Sequence, residues 1–284
     1  MTGVNGAGDG AVSRVEGDDM RVRMVIAYDG TDFRGLAKQP NVRTVIGELE
    51  RVLDPFGDDI NIVMSGRTDA GVHGWGQVLS FDLPADANLA RIQKSVNSRL
   101  GPEVVARRLE AAEPDFHARF DATGRHYRYR VLNRRVPDPF LARLAWHVRD
   151  PLDVGAMNAA AAHFIGLHDF TSFCRMPKKG PEYPPVVLER TLRTAVWTEI
   201  GDGELLFEIS GSAFCHQMVR SIVGFLASVG LGKRHADEVL VELAARDRSN
   251  SEPLAPPHGL TLWQVDYAGG NASAGPAASE RYTT

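Results

Sequence analysis

SGRTDAGVHGWGQVLSFD, residues 65–82, is the stretch on which the fold turns. Its first half is a charged, glycine-bearing loop, and from residue 76 it alternates with period two, as a half-buried strand does. Just upstream, INIVMSG (60–66) reads as another strand, so the charged segment joins two strands. One acid, Asp69, follows Arg67 by two positions and precedes His73 by four. Loops between strands are where a rigid scaffold presents functional groups, and also where turn-forming charges sit without a task. Gly71 and Gly74 permit positive φ or close approach of the backbone to a ligand. Arg67 is a candidate for keeping the carboxylate ionised, which a nucleophilic or electrostatic acid requires. The alternative is a plain turn in which Arg67 and Asp69 form an exposed pair worth little. No second carboxylate lies nearby in sequence, which disfavours a two-acid glycosidase without excluding it.

Working outward, RVRMVIAY (21–28) reads as a strand leading into a loop at DGTDF. Thr44 can cap a helix whose Val45, Ile46, Leu49, Val52 and Leu53 share one face. A helix around 88–99 and a strand EVVARRLE (103–110) follow. The second half opens with RHYRYRVL (125–132), a period-two strand, followed by a helix near 153–165 and strands near 189–200 and 204–210. HQMVRSIVGFLASVGL (216–231) has helical spacing, a shorter helix is expected around 235–246, and LTLWQVDY (260–267) reads as the last strand. Strands and helices interleave in two comparable halves, which gives an α+β class with an N-terminal half at 20–118 and a C-terminal half at 119–268. The Gly- and Asp-rich residues 1–19 and residues 269–284 cannot bury enough apolar surface to offset ordering and are expected to be disordered tails.

The 284 residues are 43% hydrophobic and 24% charged, ordinary for a globular protein with a sizeable core. A net charge of −4 gives no global attraction to nucleic acid or anionic membrane, so any such affinity has to be local. The chain has no basic-then-apolar leader and no run long enough to span a bilayer, and a cytoplasmic location is expected. Cys174 and Cys215 lie far apart and outside any CxxC pair, so two buried, reduced thiols are expected rather than a disulfide or zinc site. The nine histidines show no metal-binding spacing, and His73, His117 and His216 read as hydrogen-bonding or RNA-facing groups. VGLGKR lacks the Ser/Thr and first glycine of a phosphate loop, GAGDGA has no strand before it or helix after it, and no GxSxG occurs. Neither a metal nor a cofactor is expected.

Two further stretches carry charge in unusual company. On a strand, RHYRYRV (125–131) turns Arg125, Tyr127 and Tyr129 one way and His126, Arg128 and Arg130 the other. Basic groups interleaved with aromatic rings suit phosphate contact and base stacking, and equally a solvated edge strand. In the 216–231 helix, Arg220 stands among Met218, Val219, Ile222 and Val223. Buried, it would need a carboxylate partner elsewhere in the fold; at the rim of the apolar face it would extend to water.

GRTDAGVHG (66–74), DFHARFDATGRHYRYRV (115–131), HDFTSFCR (168–175), FCHQMVRSIVG (214–224) and GLTLWQVDY (259–267) together closely resemble the tRNA pseudouridine synthase A family, in the same order from about Arg21 to Tyr267. The resemblance implies a cofactor-free isomerase that converts uridine to pseudouridine in the anticodon stem-loop of tRNA. It also implies two α/β halves with antiparallel sheets and flanking helices around a central basic cleft, in a homodimer. Carried over by position, Asp69 is the nucleophile, Arg67 its loop neighbour, Arg220 its ion-pair partner and Tyr127 the aromatic group against the target uracil. His73, Arg125, Arg128 and Arg130 are the further candidates for substrate binding. One departure stands out: where the family has a GWQ-like stretch after the first strand, DFRGLAKQP (32–40) carries Leu36 and Ala37, in a loop expected to contact RNA or shape the cleft rim.

Two other functions fit parts of the pattern. An RNA-binding module would use the Arg/Tyr strand alone, although the RNP1 aromatic pattern is missing. A nucleoside or glycoside hydrolase would use Asp69 with water, and would release free uracil.

Overall fold

The computed structural model describes residues 19–176, 188–249 and 252–268. Both expected tails lie outside these residues, apart from Asp19, which opens the first strand. The class is α+β, and the strands of the two halves are continuous in one sheet.

In the N-terminal half, β1 (Asp19–Tyr28) lies between β3 (His73–Pro84) and β4 (Val104–Ala111) and is antiparallel to both. The expected strand at 60–66 shortens to β2 (Val63–Met64), antiparallel to β3. In the C-terminal half, β5 (Ala122–Asn133) pairs with β9 (Glu204–Gly211), β9 with β8 (Glu189–Gly201), and β8 with β7 (Gly166–Asp169), all antiparallel. A short strand, β6 (Trp146–Val148), runs parallel beside the end of β5. The last strand, β10 (Leu260–Tyr267), joins the halves: it is antiparallel to β5 and parallel to β3 through Thr261–His73 and Leu262–Gly74. The loop after β2 and the middle of β5 thereby come to the same region of the sheet.

Helix α1 (Val45–Leu53) begins at Thr44, whose hydroxyl accepts from Gly47 N–H at 3.2 Å. Its five apolar residues are all buried, packing with Ile92 and Val96 of α2 (Leu89–Leu100) on Val22, Met24 and Ile26. Each such side chain contributes about 1.5–3 kcal/mol of transfer free energy. The C-terminal core gathers α3 (Val154–Ala162), α4 (Met218–Gly230) and α5 (Glu238–Ala245) around Phe164, Phe170, Phe207 and Phe225. A third, smaller cluster, Val25, Val78, Leu262 and Val265, ties the halves across β10.

Two expectations change. The alternation in GQVLSFDL suggests a solvent-facing side, yet Gln77 and Ser80 are fully buried. They are tolerated because each is hydrogen-bonded: Ser80 Oγ accepts from Ala118 N–H at 3.1 Å, and Gln77 donates to Gly66 O at 2.8 Å. The expected reduced thiols are instead a disulfide between Cys174 and Cys215, with Cα atoms 5.7 Å apart; Cys174 is buried and Cys215 half-buried. The turn at 170–174 and the approach to α4 line the same C-terminal core, so 41 residues of chain separate two neighbours in space.

Candidate active site

The loop that carries Asp69 is fixed from below by buried polar groups. Gln77 Oε1 accepts from Ser65 Oγ at 2.5 Å, and Ser65 N–H donates to Val78 O at 2.9 Å. The Tyr28 hydroxyl, buried against β3, lies 2.8 Å from Thr68 Oγ1. Asp69 O accepts from Val72 N–H at 3.1 Å, closing a turn that needs Gly71 at φ +77°. Gly74 serves packing: a Cβ there would lie 2.3 Å from the Tyr28 ring.

The 32–40 loop supports this turn from the protein interior. Leu36 is fully buried in the N-terminal core, and its N–H donates to Thr68 O at 3.2 Å. Within the loop expected to contact RNA or shape the cleft rim, Leu36 itself is a buttress, since an apolar side chain here is stabilised by burial beneath the Asp69 turn.

Asp69 is partly buried, its side chain 26% exposed, and each carboxylate oxygen faces a basic side chain from the other half of the chain. Arg220 Nη1 donates to Oδ2 at 3.2 Å, and His216 Nε2 lies 3.2 Å from Oδ1. Arg220, in the first turn of α4, is 13% exposed and points inward, with Nε donating to Ala255 O at 2.7 Å. Arg67, expected as the local counter-charge, is exposed and has no ion pair among the described residues. A neighbour two positions away on a loop points outward here, whereas the helix brings a cation from 151 residues away.

Tyr127 stands on β5 beside this pair, half-buried and edge-on to Phe214 with ring centroids 5.0 Å apart. Burial pushes its hydroxyl up to about 12; Arg125 opposes the rise and the Asp69 charge adds to it. Arg125, two residues before it on the same face, donates to four backbone carbonyls at 2.9–3.0 Å: Ala122, Ser212, Ser65 and Arg119. It clamps the base of the Asp69 loop to the ends of β5 and β9, and burial lowers its pKa. Arg248 donates to Gln217 Oε1 at 2.9 Å, and its pKa is lowered by burial and by the nearby charges of Arg175 and Arg220. Positive charge therefore gathers behind the carboxylate.

The other candidates do not come to Asp69. His73 is 5% exposed and works as a tie: Nδ1 accepts from Gly30 N–H at 3.1 Å, and Nε2 is 3.0 Å from both Arg143 O and His258 O. Arg128 and Arg130 lie on the opposite face of β5 and pair with Glu208 and Glu204 of β9. His216 is the site residue whose contact the sequence reading missed. No local signal places it there: His216 precedes α4, and the left-handed Gln217 between them takes it off the helical i, i+4 relation to Arg220. Among the described residues, no group of three or more His, Cys, Asp or Glu side chains is placed to hold a metal, and no helix is long and apolar enough to cross a membrane.

A partly buried carboxylate thus stands between an arginine and a histidine, beside a tyrosine, on the sheet that joins the two halves. A sequence model described as tRNA pseudouridine synthase matches residues 24–121 and 160–268. Three relatives named tRNA pseudouridine synthase A are similar over most of their length. That of Halalkalibacterium halodurans is 46% identical, covering 84% of this chain and 90% of the relative. Those of Brevibacillus brevis and Bacillus subtilis are 44% and 43% identical, each over 87% of this chain and 99% of the relative. The chain belongs to the tRNA pseudouridine synthase family and is an isomerase of tRNA processing.

Proposed function

We propose that this enzyme converts uridine to pseudouridine in the anticodon stem-loop of tRNA, with Asp69 as nucleophile. The observation that carries the reading is the placement of Asp69: one oxygen on Arg220, the other beside His216, and Tyr127 alongside. A carboxylate attacks as the anion, and Arg220 stands as the partner of that charge. In the reaction the C1′–N1 bond breaks, the uracil turns, C5 bonds to C1′, and the proton on C5 is lost while N1 gains one. Atoms balance within one nucleotide, with no second substrate. Asp69 attacks either the sugar or the pyrimidine ring and holds the fragment while the base reorients.

The target base has to leave its stack to reach a partly buried carboxylate, and Tyr127 gives it an aromatic surface once it is out. Arg67, exposed at the loop, is available for phosphate contact. Arg125 acts from beneath by fixing Ser65. The homodimer and the cytoplasmic location belong to the same reading, and sedimentation of the purified protein tests the first.

The direct test is Asp69→Asn assayed on unmodified tRNA, with pseudouridine mapped by position. The variant is expected to bind tRNA near normally and to form no product, while the wild type modifies uridines of the anticodon arm. Substantial activity in the variant would remove Asp69 from the nucleophile's role, and wild-type product outside the anticodon arm would move the substrate site.

A further inference from the structure

We propose that His216 is a second positioning residue for the nucleophile: it grips Asp69 Oδ1 while Arg220 grips Oδ2, and the two together set the direction of attack. The inference rests on the reading of Asp69 as nucleophile. Four observations carry it. The His216 imidazole Nε2 stands 3.2 Å from Oδ1, and the Arg220 guanidinium donates to Oδ2 at the same distance, so both oxygens are approached from one helix entrance. The two holders differ in setting: Arg220 is 13% exposed and anchored on Ala255 O, whereas the His216 side chain is 49% exposed. The backbone at His216 is itself fixed, because its carbonyl accepts from Arg175 N–H at 2.9 Å and the preceding Cys215 is bonded to Cys174. The following residue, Gln217, sits at φ +66° with its side chain held by Arg248, which sets where the chain turns into α4.

The chemistry explains why two grips are needed. With one cation, a carboxylate swings about its Cβ–Cγ bond and presents its attacking lone pair in many directions. Once the imidazole closes the 3.2 Å gap to Oδ1, a donor on each oxygen fixes the plane of the group and leaves a lone pair free on each. Misplacement of a reacting atom by about 1 Å costs on the order of a hundredfold in rate. Contacts of this kind often tighten only when substrate fills the site. The effect is therefore on kcat, with little on RNA affinity.

The test compares His216→Ala, His216→Gln and Asp69→Asn with wild type, on unmodified tRNA, by single-turnover kinetics and by tRNA binding. His216→Ala is expected to lower the maximal rate about 10- to 100-fold, the range for a hydrogen bond to a charged group formed when the contact tightens on bound substrate. Its tRNA dissociation constant and melting temperature should stay near wild type. Glutamine places an amide N–H close to where Nε2 stands, so His216→Gln should recover most of the rate. The proposal is overturned if His216→Ala keeps the wild-type rate, if it weakens tRNA binding while the maximal rate holds, or if glutamine does no better than alanine. The Asp69→Asn arm separates the two readings. Activity in that variant defeats the nucleophile assignment, whereas an inactive Asp69→Asn beside a fully active His216→Ala defeats only the role of His216.

Discussion

On one face of β5, Arg125 and Tyr127 turn toward the Asp69 loop; on the other, His126, Arg128 and Arg130 turn toward acids of the neighbouring strands. Arg125 meets only backbone carbonyls and so fixes the loop at Ser65. Arg128 meets Glu208, directly across on β9, and covers the Trp263 ring at 3.8 Å. His126 meets Asp266 of β10 at 2.6 Å. One strand thus carries four basic side chains with two outcomes, decided by what the adjacent strands present. Where a carboxylate stands opposite, the cation is neutralised within the sheet. Where only carbonyls and a loop stand opposite, the cation becomes part of the site.

Tyr127→Leu puts the largest strain on this comparison. It removes the aromatic surface beside Asp69 and the edge contact to Phe214. Loss of stacking costs about 1–3 kcal/mol per base, and misorientation at the reacting carbon adds to it. The expected result is a fall in maximal rate of at least about a hundredfold, with the melting temperature less affected. Because the hydroxyl is pushed up to about 12, Tyr127 is neutral through the ordinary assay range, so its own ionisation should leave no inflection in the rate between pH 7 and 9. A leucine variant with near wild-type turnover would make the two faces functionally alike.

Arg125→Met is intermediate. The stem keeps its packing and four carbonyls lose a charged donor. Water can reach part of this region, so the expected loss of stability is about 2–3 kcal/mol rather than the sum of four bonds. With Ser65 released, the maximal rate should fall about tenfold as the loop loosens. Thermal unfolding and single-turnover assays measure the two separately. A stability loss with unchanged turnover would show that the contacts of Gln77, Tyr28 and Leu36 hold the loop without Arg125.

These contrasts also mark what the sequence could say. β10 runs over the residues its alternation indicated, and all five apolar residues of α1 are buried beneath the cap Thr44, because period and capping are local properties. β6 and β7 went unread, since three or four residues are too few to show a period. The alternation in RHYRYRV separated Tyr127 from Arg128 without saying which side faced the site. That depended on Glu208 and Glu204, more than 70 residues further on. The counter-charge for Asp69 shows the same limit. Arg67 is near in sequence and turns out to solvent, whereas Arg220 is distant: its apolar neighbours called for an acid somewhere in the fold, and only the family resemblance pointed to Asp69. Long-range pairing is set by topology, here by β10 joining β3 to β5.

Arg128→Met should have the smallest effect and probes the far side of the comparison. The Glu208 side chain is 40% exposed, so solvent screens the ion pair and its worth is at most about 1 kcal/mol. The ring contact to Trp263 contributes about 0.5–1 kcal/mol, and methionine recovers part of it through sulfur–aromatic packing. A total loss near 1 kcal/mol, read by denaturant unfolding, is therefore expected, with the maximal rate and the tRNA dissociation constant within about twofold of wild type. The informative alternative is a weakened tRNA affinity whose dependence on salt becomes shallower by about one counterion. That result would put the Arg128 face on the RNA path and Glu208 in the position of a partner that gives up its cation when RNA binds.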